Sequence, residues 1–97
     1  MNLTFVKQLQ EGKTVQFRPH GGSMTPKIQS GQLLTVSPEV GEIKKGDILF
    51  CKVKGRLFCH LVTAVQGERY QISNNHGHVN GWIGRNGVYG RVVKVEP

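Results

Sequence analysis

The sequence predicts a mainly β protein: a compact, coiled antiparallel sheet or small barrel with one short N-terminal helix, forming a single domain over residues 1–97. Short segments alternate apolar and polar residues, as half-buried strands do. Thirteen glycines and few long apolar runs favour strands and turns over helices. With 37% hydrophobic and 20% charged residues, the composition is that of a globular protein with one core. No stretch reaches the ~20 apolar residues needed to cross a bilayer, so we expect no membrane insertion.

Each element follows from its local pattern. Residues 3–10 space their apolar side chains as a short amphipathic helix does, and Gly12 ends it. Strands are predicted at residues 14–18, 33–37, 48–54, 57–65, 69–73 and 87–95. Residues 25–28 are expected to form one helical turn and residues 74–81 a polar loop, after which Trp82 and Ile83 return to the core.

The hairpin between the third and fourth strands has two candidate registers. If Gly55 and Arg56 form a two-residue turn, Cys51 lies across from His60 and a Cys–His pair is permitted. If residues 54–56 form the turn, Cys51 lies across from Cys59 and a strained cross-strand disulfide is permitted. Side-chain packing alone is the simpler interpretation, with both cysteines reduced and buried.

The stretch from Pro19 to Pro26, with the sequence PHGGSMTP, carries the strongest chemical signal. A serine directly after two glycines can present its hydroxyl beside free backbone N–H groups, as an acyl-transfer nucleophile requires. A glycine turn with an incidental serine is the alternative. His60 interrupts a strand that is apolar on both faces, and imidazole, with a pKa near ~6.5, can serve as the base. A structural histidine bonded to a backbone or hydroxyl group is the alternative there.

The serine motif is followed in order by IQSGQLLTV at residues 28–36, IKKGDILF at 43–50, LFCHLV at 57–62 and GRVV at 90–93. Together these segments resemble the catalytic domain shared by signal peptidases and LexA-type self-cleaving repressors, over about residues 14–95. The resemblance implies a β-rich serine endopeptidase with Ser23 as nucleophile and His60 as base. Gly22 and Met24 flank the nucleophile and are the candidate substrate-binding residues, although Met24 also suits a place beneath the turn.

The sequence departs from the family pattern in three places. Gly31-Gln32 stands at the first Gly-Asp turn, a position that we expect to be structural. Residues 73–75, Ser-Asn-Asn, stand where signal peptidases have Gly-Asp-Asn. Asn74 or Asn75 would then orient His60 without stabilising imidazolium as an anion does, which predicts weak activity or a vestigial site. Only 22 residues precede the serine, without a helix-turn-helix or an Ala-Gly bond, so a self-cleaving transcription switch is not expected.

The formal net charge of +7 favours acidic partners, but the cations are scattered, so nucleic-acid binding is not favoured. The aromatic residues that could stack on nucleic-acid bases are Tyr70, Trp82 and Tyr89. His76 and His78, combined with Cys51, Cys59 or His60, match no standard zinc spacing, and we expect neither metal nor cofactor.

The N-terminus lacks the apolar centre of a signal peptide, which predicts a cytoplasmic protein and argues against a working signal peptidase. We therefore predict a soluble serine endopeptidase with a Ser23–His60 dyad, phage-encoded or prophage-derived, acting on a protein or peptide. The alternative is a non-catalytic module of the same fold that binds a partner protein through a sheet edge. A homodimer is a further open alternative.

Overall fold

The computed structural model describes residues 3–97, which form one helix and seven strands. The elements are α1 (Leu3–Gln10), β1 (Val15–Phe17), β2 (Leu33–Ser37), β3 (Ile48–Val53), β4 (Arg56–Gln66), β5 (Arg69–Ser73), β6 (Val79–Gly84) and β7 (Val88–Glu96). A short 3-10 helix, Arg85–Gly87, connects β6 to β7. The predicted mainly β class, with one short N-terminal helix, is confirmed.

All seven strands belong to one antiparallel sheet with the order β1-β2-β7-β3-β4-β5-β6. The outermost strands β1 and β6 do not pair with each other within the described residues, so the sheet is open and the barrel alternative does not apply. β7 lies between β2 and β3, and this last strand alone joins the first two strands to the block β3–β6 through backbone pairing.

The central strand β3 is buried on both faces. Leu49, Cys51 and Val53 pack into one hydrophobic cluster, whereas Phe50 packs on the other face beneath α1. This alternation agrees with the sequence pattern. The helix contributes Val6 and Leu9 to the core, whereas Leu3 is 72% exposed.

The space around Gly90, between β2 and α1, has no room for a side chain. A Cβ atom at this position would lie 2.6 Å from Val36 Cγ1, 2.8 Å from the carbonyl oxygen of Ser37 and 3.2 Å from Leu9 Cδ2. Real Cβ atoms do not tolerate such distances, so β7 fits between its neighbours only because this residue is glycine.

Both candidate registers of the β3–β4 hairpin are wrong. Val53 pairs with Arg56, so Lys54 and Gly55 form the two-residue turn. Both have positive φ (49° and 81°), as a primed hairpin turn requires. Cys51 therefore lies opposite Phe58, and Leu49 lies opposite His60.

Neither cysteine is bonded to the other. Cys51 and Cys59 are free and buried, as expected from their apolar surroundings. Burial raises the pKa of both thiols to about 12, and the proximity of Cys51 adds to the effect at Cys59. Both remain protonated, poorly reactive thiols at neutral pH.

The predicted polar loop at residues 74–81 is wrong in its second half, because β6 begins at Val79. Trp82 is 39% exposed rather than in the core, whereas Ile83 is buried. Among the aromatic residues considered for base stacking, Tyr70 is buried, which removes it as a stacking surface. Within residues 3–97 no helix is long and apolar enough to span a membrane.

Candidate active site

The serine lies on an exposed turn between β1 and β2. Gly31 donates its N–H to the carbonyl oxygen of Pro19 (2.8 Å) and thereby closes the base of the turn. Gly21, with φ of 115°, reverses the chain, and its N–H donates to Ser30 Oγ at 3.1 Å. The glycine is required because side chains rarely tolerate this left-handed conformation. Ser23 therefore projects from a turn whose two ends are fixed.

Beneath the serine the turn is anchored by apolar packing. Met24 and Ile28 are each 4% exposed and pack against Leu34 of β2 and Cys59 of β4. Ile28 donates its N–H to the carbonyl oxygen of Met24 at 3.0 Å and closes a turn over residues 24–28. These residues form a non-helical turn, so the helical turn predicted at residues 25–28 is wrong. This packing joins the serine turn directly to the strand that carries the histidine.

His60 lies on β4 and contacts the serine. Its Nε2 atom is 3.2 Å from Ser23 Oγ, and its Nδ1 atom is 2.7 Å from Asn80 Oδ1. An amide oxygen only accepts hydrogen bonds, so Nδ1 carries the proton and Nε2 presents its lone pair to the serine hydroxyl. The ring is also held by Phe58, whose centroid is 4.8 Å away. This tautomer is the one that a general base requires.

The surroundings keep the imidazole neutral. Burial lowers the pKa of His60, the hydrogen bond with Asn80 opposes this shift, and the nearby His78 adds a further lowering. His60 itself is only 8% exposed, so the desolvation of its charged form dominates. At neutral pH the ring is therefore an unprotonated acceptor for the Ser23 hydroxyl.

A small cavity of about 90 Å³ opens beside the two groups. Its walls are formed by Pro19, His20, Gly21, Ser23, Met24, Ile28, Leu34, Cys59 and His60. Its apolar lining comes mainly from Met24, Ile28, Leu34 and Cys59, and its polar lining from His20, Ser23 and His60. Of the two residues predicted to bind substrate, Met24 lines this cavity and Gly22 does not.

Asn74 and Asn75 form no hydrogen bond with His60. Asn74 Oδ1 accepts the N–H groups of His76 and His78 at 2.8 and 2.9 Å. Asn75 donates its backbone N–H to the Ser23 carbonyl oxygen (2.8 Å). The two asparagines that were expected to orient the histidine therefore bond the loop itself and the serine turn.

Asn80, which bonds the imidazole instead, is not among the predicted site residues, because the sequence predicts a polar loop over residues 74–81. A signal was present: Val79, Gly81 and Ile83 alternate with Asn80 and Trp82, as in a strand. Recognising β6 would have placed Asn80 on a strand adjoining β5, although not at a distance from His60.

The turn also offers backbone donors. Among residues 3–97, the N–H groups of Gly22, Ser23 and Met24 have no hydrogen-bond acceptor. Free N–H groups next to a nucleophile are the usual means of stabilising an oxyanion. Within the same residues no group of three or more His, Cys, Asp or Glu side chains is arranged to hold a metal ion.

A family model described as Peptidase S24-like matches residues 2–93. The match covers nearly the whole chain and confirms the resemblance to LexA-type and signal-peptidase-type domains. No curated protein matches the chain.

Proposed function

Because the chain belongs to the Peptidase S24-like family, we propose that it is a serine endopeptidase in which Ser23 is the nucleophile and His60 the base. The observation that carries this proposal is the continuous hydrogen-bonded series from Ser23 Oγ through both ring nitrogens of His60 to Asn80 Oδ1. Asn80 orients the ring as a neutral partner, a role that asparagine fills in some cysteine proteases.

In the proposed reaction Ser23 Oγ attacks the carbonyl carbon of the scissile peptide bond while its proton moves to His60 Nε2. The negative charge on the former carbonyl oxygen is stabilised by free N–H groups of the serine turn. When the intermediate collapses, the C–N bond breaks and the departing amine takes the proton from Nε2. Water then hydrolyses the acyl ester by the same steps and restores the serine hydroxyl.

The size and lining of the cavity beside Ser23 indicate which side chain of a substrate it would bind. With a volume of about 90 Å³ and a floor of Met24, Ile28, Leu34 and Cys59, it suits one small apolar side chain. We therefore propose peptides or proteins that carry a small apolar residue at the cleavage point. The neutral amide at position 80 stabilises the imidazolium of the transition state less than a carboxylate does, so slow turnover is part of the proposal.

A fluorophosphonate probe tests this function directly. Ser23 Oγ would displace fluoride from phosphorus, and intact-protein mass spectrometry would record one adduct. The adduct should be absent from Ser23→Ala and retained in Ser37→Ala, a matched control whose hydroxyl lies in β2 and accepts the Glu39 N–H. Loss of His60 should slow labelling at least about 10²-fold. Labelling that survives in Ser23→Ala would disprove the assignment.

A second proposal retains the fold without the chemistry. The outermost strand β6 exposes Val79 (46%) and Trp82 (39%), which favours the addition of a partner's strand at this edge. A Ser23→Ala variant that kept the full biological effect would support this interaction module over the peptidase. Cytoplasmic location, phage or prophage origin and homodimerisation stay predictions.

A further inference from the structure

The loop formed by residues 74–78 connects β5 to β6 and touches the serine turn at several points. We propose that this loop is a positioning brace for the nucleophile, with His76 as its principal donor. The inference rests on the proposed function, because it assigns the brace to the presentation of Ser23. It also gives a role to the side chain of His76, which belongs to no group of potential metal ligands among residues 3–97.

His76 reaches across to the residue that precedes the nucleophile. Its Nε2 atom lies 2.8 Å from the carbonyl oxygen of Gly22 and 3.0 Å from Thr25 Oγ1. The Thr25 hydroxyl itself donates to the Gly22 oxygen at 2.9 Å. Because a carbonyl oxygen only accepts, Nε2 carries a proton whether the ring is neutral or charged. The contact is therefore independent of the protonation of Nδ1.

Asn75 holds the same turn from the adjacent position. Its backbone N–H donates to the Ser23 carbonyl oxygen at 2.8 Å, and its Nδ2 donates to the Thr25 carbonyl oxygen at 2.9 Å. The loop thus contacts the carbonyl oxygens of Gly22, Ser23 and Thr25. Two glycines precede the serine, and glycine backbones lose the most conformational freedom on ordering, so this segment needs external bonds to stay in place.

The loop is itself well enough defined to act as a brace. Asn74 Oδ1 accepts two N–H groups of the loop, and the Asn74 N–H donates to the carbonyl oxygen of His78 at 3.0 Å. Strands β5 and β6 hold the two ends, and β6 also carries Asn80. One hairpin therefore positions the nucleophile through its loop and the base through its strand.

Two substitutions of His76 by unbranched side chains of similar length test the brace. In His76→Gln the amide nitrogen is as many bonds from Cβ as Nε2 is, so the donor is preserved. His76→Met has a similar length and no charge, and it lacks the donor. For each variant we would measure amide hydrogen exchange at Thr25 and Asn75 by NMR, the labelling rate with the fluorophosphonate probe at pH 8, and the melting temperature.

We expect His76→Met to exchange the Asn75 amide about tenfold faster and to label about fivefold more slowly, at an unchanged melting temperature. His76→Gln should stay within about twofold of the parent protein in both measurements. Exchange in His76→Met that matches the parent, or a Gln variant as impaired as the Met variant, would overturn the brace. If the parent protein does not label at all, the proposed function fails, and hydrogen exchange alone still decides the brace.

Discussion

The proposed nucleophile and the proposed base of the candidate site are held by different means. Ser23 lies on an exposed turn that depends on a few directional hydrogen bonds and on Met24 and Ile28 below it. His60 lies on β4 between two paired strands, is 8% exposed and contacts the Phe58 ring in a tilted arrangement. The base is therefore positioned by packing in the centre of the sheet, whereas the nucleophile is positioned locally.

This difference predicts two classes of variant. Substitutions of buried residues in the central strands of the sheet remove many small contacts at once and lower the free energy of unfolding of the protein. Substitutions among the polar groups remove single bonds, so they change reactivity while the fold persists. If this difference holds, the first class of variant changes stability and the second class changes reactivity.

The largest effect is expected from Phe50→Ala. This fully buried side chain on β3 pairs with Cys59, the neighbour of His60, and makes edge contacts with the rings of Phe17 (5.8 Å) and Tyr89 (6.3 Å). Its truncation should cost about 3–5 kcal/mol of unfolding free energy, measured by urea denaturation. Leu3→Ala, at a 72% exposed position, is the control and should change stability by less than ~0.5 kcal/mol. A Phe50→Ala protein as stable as the control would show that packing on this face of β3 contributes little to the stability of the sheet that carries His60.

Asn80→Ala is expected to act on reactivity instead. Without the acceptor at Nδ1 the imidazole loses its preferred tautomer, and probe labelling should slow by about 10²-fold, or ~2.7 kcal/mol of barrier. Asn80→Asp should label at least as fast as the parent protein at high pH, because a carboxylate stabilises the imidazolium formed during the reaction. Its charge also raises the pKa of His60, so the midpoint of the pH profile should move upward. An unchanged midpoint would mean that residue 80 does not act through the imidazole.

The smallest effect concerns the pH dependence of stability. Burial lowers the pKa of folded His60 below the ordinary value of ~6.5. Between these two values the unfolded chain binds a proton that the folded protein does not, so stability is complete above pH ~6.5 and falls on acidification. Urea denaturation at pH 7.5 and 5.5 should therefore show a larger acid loss for the parent protein than for His60→Gln. Equal losses would show that the pKa of His60 is the same in the folded and the unfolded protein.

The sequence revealed the elements whose patterns are regular and missed those that depend on distant contacts. The helix, β2 and β5 have the bounds that were expected, because their apolar spacing is unambiguous. The hairpin register was wrong because Lys54 adopts a left-handed conformation that usually belongs to asparagine or glycine. Ser23 and His60 could be selected from local pattern and resemblance, but Asn80 could not, since its partner lies 20 positions away on a strand two places along the sheet.

The position of β7 has a consequence for synthesis on the ribosome. Backbone pairing connects the strands that flank the serine turn to the strands that carry His60 and Asn80 only through residues 88–96. A nascent chain that has not yet released this segment from the exit tunnel lacks the strand that joins the two parts. The proposed hydrolytic centre would therefore form only after residues 88–96 have left the tunnel, so chains without this segment would lack the proposed activity.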